Sequence, residues 1–132
     1  MKNFIVTAGK RKCATARAVI TPGNGIIRIN SKLIETYEPE MHKLKIQEPL
    51  FIAGDVSKKI DIRVNVEGGG RRSQTEAIRL SIGRALAAFD KKLTSTLTAY
   101  DRQLLVADVR RKETRKPNSH GKARSKRQTS YR

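Results

Sequence analysis

The sequence predicts a mixed α+β fold, with helices packed on one face of a β-sheet. Three observations carry this. Residues 60–66 read IDIRVNV, alternating Ile60, Ile62, Val64 and Val66 with Asp61, Arg63 and Asn65, the pattern of a half-buried strand. Gly68-Gly69-Gly70 then frees the backbone to turn, and a helical pattern follows. The first thirty residues hold three further short apolar runs separated by turn or basic segments.

In chain order, residues 4–7 form a short apolar strand, and Gly9-Lys10-Arg11-Lys12 is read as the loop joining it to a second strand over residues 14–21. Pro22-Gly23-Asn24-Gly25 is a turn signal, and residues 25–30 form a strand leaving it, which together suggest a β-hairpin. Residues 39–49 hold Met41, Leu44 and Ile46 between two prolines, a short helix with Pro39 tolerated in the first turn. After the triple glycine, Ser73-Gln74-Thr75-Glu76 has the form of a capping box. Ile78, Ile82, Ala85, Leu86 and Phe89 recur at helical spacing behind it, with Arg79 and Arg84 off that stripe. The helix is expected to end near Asp90-Lys91-Lys92. A last helix is predicted over residues 94–105, with Leu97, Tyr100 and Leu104 on one face. There is no internal repeat.

The 132 residues suit one domain. They carry 29 Lys+Arg against 12 Asp+Glu, a formal net charge of +17. Such a charge repels itself in a compact state, and a polyanion relieves it, so nucleic acid is the first partner to consider and an anionic membrane surface the second. No apolar run reaches the roughly 20 residues that span a bilayer, and none has the form of a signal peptide. A single cysteine, Cys13, excludes an internal disulfide and fits a reducing compartment, so the cytosol is the simplest placement. From Arg110 onward there are ten Lys/Arg and one acid, Glu113, so +9 of the +17 lies in the last 23 residues. The chain therefore divides into a globular part, 1–109, and an extended basic tail, 110–132.

Catalytic chemistry finds no support. Neither GxxxxGK[ST] nor GxGxxG is present around the triple glycine. His42 and His120 stand alone, Cys13 has no partner at metal spacing, and the carboxylates form no acid/base pair. The chain reads as a non-enzyme with no cofactor and no metal. His42 is placed on a helix surface, and His120 is a tail residue able to stack on a base. The positive features are cationic. Arg71 and Arg72 sit where a helix N-terminus attracts anions, and Lys10, Arg11 and Lys12 are consecutive. Both groups suit a phosphate backbone, although solvated surface charge is the plain alternative.

The tail holds Arg110, Arg111, Lys112, Arg115, Lys116, Lys122 and Arg124 and ends in KRQTSYR, with almost no apolar residue. Alone it is expected to be disordered, and to gain order by laying cations along phosphates and releasing counterions. A solubilising tail, a targeting signal or a nonspecific DNA-binding arm are the other readings of these residues.

Five segments together carry a resemblance: GKRKCATARA (9–18), VNVEGGG (64–70), AIRLSIGRAL (77–86), YDRQLLVADVRRKE (100–113) and GKARSKRQTSYR (121–132). Essentially the whole chain resembles the universal small-subunit ribosomal protein S-nine family. The DRQLLVADVR stretch and the terminal SYR are more similar to its archaeal and eukaryotic branch. The resemblance implies a βαβ-type two-layer sandwich, like the second domain of ribosomal protein S-five, with an extended basic C-terminal tail. It implies a structural constituent of the small ribosomal subunit in the cytoplasm, bound to small-subunit rRNA in the head beside neighbouring ribosomal proteins, and not to a membrane. It further implies that the tail reaches the anticodon stem-loop of peptidyl-site tRNA, with Arg132 at the tRNA and Lys126, Arg127, Gln128 and Tyr131 close behind. Two departures stand out. Arg71-Arg72-Ser73-Gln74 replaces the family's usual apolar residue followed by Gly-Gln. Cys13 stands where Thr or Ser is common, and is expected to be a small buried or half-buried residue.

Overall fold

A computed structural model describes residues 4–124. Strands β1 (Ile5–Arg11), β2 (Ala14–Pro22), β3 (Ile27–Ile29), β4 (Lys32–Leu33) and β5 (Ile60–Glu67) form one sheet in the order β1-β2-β5-β3-β4. Helices α1 (Glu40–Ala53), α2 (Arg71–Phe89) and α3 (Leu93–Tyr100) complete a mixed α+β fold. Pairing is antiparallel except between β3 and β5.

Strand β5 is the centre of the sheet. Its Ile60, Ile62, Val64 and Val66 are buried on the helical side together with Ala14, Ala16, Ala18 and Ile20 of β2. The helices supply Ile46, Leu50, Ile78, Ile82, Leu86 and Leu97 to the same core. The small residues of β2 and β1 let α2 lie close. A Cβ on Gly9 would strike the Ala77 carbonyl and come within 2.7 Å of the Ser81 nitrogen. The Thr7 hydroxyl donates to the Ser81 carbonyl at 2.8 Å.

The sequence reading is corrected in several places. Strand β1 runs through Gly9, Lys10 and Arg11, because these residues pair with Ala16, Thr15 and Ala14. Only Lys12 and Cys13 form the connecting turn, with Lys12 at φ 53°. The hairpin is thus β1–β2. Residues 22–25 do not close one, because β5 inserts between β2 and β3. The Asp61 carboxylate accepts the N–H groups of Asn24 and Ile26, both at 2.9 Å, which steers the chain across the end of β5. Those N–H bonds hold Asp61 below its ordinary pKa.

Helix α1 continues past Pro49 to Ala53, since burying Ile46, Pro49, Leu50 and Ala53 outweighs the backbone bond a proline removes. The capping box does not form. Gly70 is the N-cap, α2 starts at Arg71, and the Glu76 carboxylate pairs with Lys45 at 2.9 Å instead. Phe89 and Tyr100 are exposed rather than buried. The last predicted helix breaks at Asp101, whose side chain accepts the Gln103 N–H and starts a 3-10 turn over Arg102–Leu104. Cys13 is exposed at its turn.

That 3-10 turn docks on α2 at Gly83, where a Cβ would strike the Leu104 carbonyl oxygen. We expect Gly83→Ala to cost about 1–3 kcal/mol by overpacking. A thermal melt should then show a midpoint roughly 5–10 °C lower.

Candidate nucleic-acid interface

The antiparallel register of β2 and β5 sets Thr15 opposite Glu67, so the β1–β2 turn lies beside the glycine turn after β5. Gly68 (φ 76°) and Gly69 (φ 65°) take backbone conformations that side chains rarely adopt. A Cβ on Gly68 would meet the Cys13 carbonyl at 2.5 Å, and one on Gly69 would meet the Ala14 nitrogen at 3.0 Å. Gln74 Nε2 donates to the Gly68 carbonyl at 3.0 Å and ties the turn to the first turn of α2. Close backbone packing therefore brings Lys12 and the N-terminus of α2 to one end of the sheet.

The chain returns to this end after the 3-10 turn. Arg84, off the apolar stripe as expected, donates to the Leu105 carbonyl at 2.9 Å and the Ala8 carbonyl at 2.8 Å, pinning the outgoing segment along β1. Asp108 then meets Arg11, with Nη1 2.8 Å from Oδ2. That contact is ionic, since Arg11 Nη1 is buried and out of line for a hydrogen bond. Asp108 also accepts from Arg110 Nη2 at 2.7 Å. The Arg110 side-chain and backbone N–H groups, with Arg11 adding charge, hold the Asp108 carboxyl far below the usual carboxylate range.

These three segments enclose a concavity of about 470 Å³ lined by Lys10, Arg11, Lys12, Arg72, Ser73, Glu76, Leu80, Gln103, Val106, Asp108 and Arg110. Five lining residues are cationic. The two acidic ones, Glu76 and Asp108, are already engaged with Lys45, Arg11 and Arg110. Lys10, Lys12 and Arg72 form no ion pair among the described residues. The concavity therefore offers uncompensated positive charge on a backbone fixed by strand, turn and helix, which suits a phosphodiester chain.

Of the sequence-level candidates, the structure gathers Lys10, Arg11, Lys12, Arg72 and Arg110. Arg11 is half-buried and paired rather than solvated in a loop. Arg71 is exposed at the start of α2 but does not line the concavity. Arg111, Lys112, Arg115, Lys116 and Lys122 are exposed along the outgoing segment. Arg124 grips Glu113 through two hydrogen bonds of 2.6 and 3.0 Å. Lys126, Arg127, Gln128, Tyr131 and Arg132 lie outside the described residues. His42 is half-buried and lines a smaller adjoining hollow with Met41, Lys45, Arg72, Thr75 and Glu76.

Sequence reasoning missed Asp108 and Arg84, which position the cations without being candidates themselves. It also placed Arg79 only off the apolar stripe, with no partner. The side chain is buried, donating from Nε to Glu48 at 2.7 Å and from Nη2 to Asp101 at 3.0 Å. A lone arginine one step off an apolar stripe carries no signal of burial until its two partners from other elements are known. Among the described residues no three His, Cys, Asp or Glu gather as a metal set, and no helix is long and apolar enough to cross a membrane.

The profile of the family described as ribosomal protein S9/S16 matches residues 9–132. The chain is 48% identical to the small ribosomal subunit protein uS9 of Picrophilus torridus, over the full length of both. It is 46% identical to the protein of the same name from Methanococcus vannielii, over 96% of each chain. Both relatives are archaeal, within the archaeal and eukaryotic branch that the sequence resembles. The chain belongs to the ribosomal protein S9/S16 family.

Proposed function

We propose that this protein is a structural constituent of the small ribosomal subunit that binds small-subunit rRNA in the head and holds peptidyl-site tRNA with its C-terminal tail. It works in the cytoplasm, on the ribosome, beside neighbouring ribosomal proteins and without catalysis. The single observation that carries the RNA-binding part is the concavity in which Lys10, Lys12 and Arg72 converge from two segments without an ion-pair partner among the described residues, its two carboxylates Glu76 and Asp108 being engaged by other cations. Phosphates would take the place of those missing partners and displace condensed counterions. Arg110, Arg111, Lys112, Arg115, Lys116, Lys122 and Arg124 continue the charge away from the concavity and form an arm that RNA orders.

The tRNA-contacting part rests on the family and on the terminal residues. Arg132 offers a planar guanidinium able to hold a phosphate through two hydrogen bonds. Lys126 and Arg127 add charge on the approach, and Gln128 and Tyr131 add polar contacts.

Sucrose-gradient sedimentation in magnesium, before and after a moderate salt wash, tests the assignment. The chain should co-migrate with small subunits and survive the wash. Recovery at the top of the gradient, or on DNA, would refute it. Removing residues 128–132 should leave assembly intact and weaken tRNA retention in the peptidyl site. Each lost phosphate contact should lower the salt slope by at most about one unit. Equal retention by intact and truncated subunits across a salt series would remove the tRNA role from Arg132.

A further inference from the structure

The helices cover one face of the sheet, and the strand alternation sends the other residues to the opposite face. On that face β1 carries Val6 and Lys10, β2 carries Arg17 and Val19, β5 carries Arg63 and Asn65, β3 carries Arg28 and β4 carries Leu33. Most of these side chains are exposed, including all three arginines. The register runs unbroken across the five strands: Val6 lies opposite Val19, Val19 opposite Arg63, Arg63 opposite Arg28 and Arg28 opposite Leu33.

Two of these positions place like charges directly across a strand pair, Arg28 and Arg63, an arrangement that destabilises a sheet by itself. Arg17 lies on the diagonal from Arg63, since Arg17 pairs with Asn65 two residues on. With strands about 4.8 Å apart, the three arginine positions span about 10 Å of β2, β5 and β3. None forms an ion pair among the described residues. Two carboxylates share the face without forming an ion pair to these arginines: Asp61, which accepts the N–H groups of Asn24 and Ile26, and Glu67, opposite Thr15 at the far end of β5.

We infer that this bare sheet face is a second RNA-binding surface, on which Arg17, Arg28 and Arg63 hold the phosphate backbone of a double-helical RNA segment. The inference rests on the RNA-binding reading above and extends it to a face that reading leaves unused. Charge complementarity selects the occupant. A protein partner would have to bring a carboxylate to each of three clustered guanidinium groups, whereas an RNA backbone carries an anionic phosphate at every step. A single strand would need aromatic platforms for its bases, and the face offers only Val6, Val19 and Leu33. A duplex backbone needs only fixed cations, and the strands fix them. Lys10, exposed on this face and also lining the end concavity, joins the two surfaces.

The test measures binding of a 20-base-pair RNA duplex to the full chain from 50 to 400 mM KCl. Four proteins are compared: the parent, R17Q/R28Q/R63Q, the concavity variant K10Q/K12Q/R72Q, and the charge-matched control K59Q/K91Q/K92Q at the opposite end of the fold. The sheet-face variant should lose about two units of salt slope and roughly a hundredfold in affinity at 0.1 M salt, well beyond the control. Its melting midpoint should not fall, because the Arg28–Arg63 opposition is relieved. If only the concavity variant loses affinity, RNA binding stands and the sheet-face inference fails. If neither variant differs from the control, both the sheet-face inference and the concavity's part in the RNA-binding reading fail, and binding lies with the tail. If R17Q/R28Q/R63Q binds the duplex normally but no longer enters assembled subunits, the face serves a protein partner and the inference is overturned.

Discussion

Replacing Lys10, Lys12 and Arg72 together by glutamine is expected to weaken RNA binding by about two orders of magnitude at 0.1 M salt. The three side chains converge on the end concavity and lack carboxylate partners among the described residues. Each phosphate contact contributes about 0.7–0.9 to the slope of log affinity against log salt, so losing three removes roughly two to three units. The affinity lines of parent and variant should meet near 1 M salt and diverge as salt is lowered. Filter binding or fluorescence anisotropy over a salt series reads both slope and intercept. A parallel displacement without a change of slope would mean these residues act through shape or hydration. The single variant Arg110→Gln should do much less, because Asp108 already engages that guanidinium.

The second large effect concerns stability. Arg79 joins α2 to Glu48 of α1 and to Asp101 after α3, so one buried side chain fastens three elements. Burial lowers the tendency of Arg79 to stay charged, and the hydrogen bonds to Asp101 and Glu48 more than offset it. Truncation to alanine removes the shared cation and leaves two carboxylates facing each other. Both are about one-third exposed and can rehydrate, which tempers the cost. We expect Arg79→Ala to destabilise by about 2–4 kcal/mol, read from urea midpoints at unchanged m-value. A replacement by methionine, which keeps the volume, should not restore stability. Recovery by methionine would show that packing, not the ion cluster, fastens the elements.

The same cluster sets an acid limit. Burial raises the Asp101 pKa, but the Gln103 N–H and Arg79 outweigh it and hold the carboxyl below its ordinary value. A carboxyl depressed in the folded state stabilises fully above its unfolded pKa and loses that contribution as pH falls through the folded value. Melting midpoints should therefore hold steady from pH 7 to 5 and drop below about pH 4. The drop should be shallower in Asp101→Asn.

These residues also show what the sequence makes legible. The strand 60–66 and the helix carrying Ile78, Ile82 and Leu86 are visible because periodicity is a local property, and both are buried where expected. The boundary of α2 is not visible. Ser73 and Glu76 have the form of a cap, yet Gly70 takes that place and Lys45, distant in sequence, takes Glu76. Lys10 and Lys12 are apparent as cations. Their convergence with Arg72 depends on β5 pairing with β2, a long-range choice that no window of residues contains. Arg28 and Arg63 are readable singly as outward strand residues, but their opposition needs the parallel pairing of β3 with β5.

The place of β5 has a consequence for biosynthesis. The strand that joins β2 to β3 is the last of the five to be made. A nascent chain that stops short of Ile60 holds two separate strand pairs, β1–β2 and β3–β4, and isolated pairs of this kind are marginal in water. Folding must wait for β5 and close a loop of more than thirty residues between β3 and its parallel partner. Until then Lys10, Arg11 and Lys12 are an unfolded basic stretch with no shape to choose its RNA. The emerging protein is a general polycation first, and acquires the shaped interface proposed above only after its fifth strand arrives.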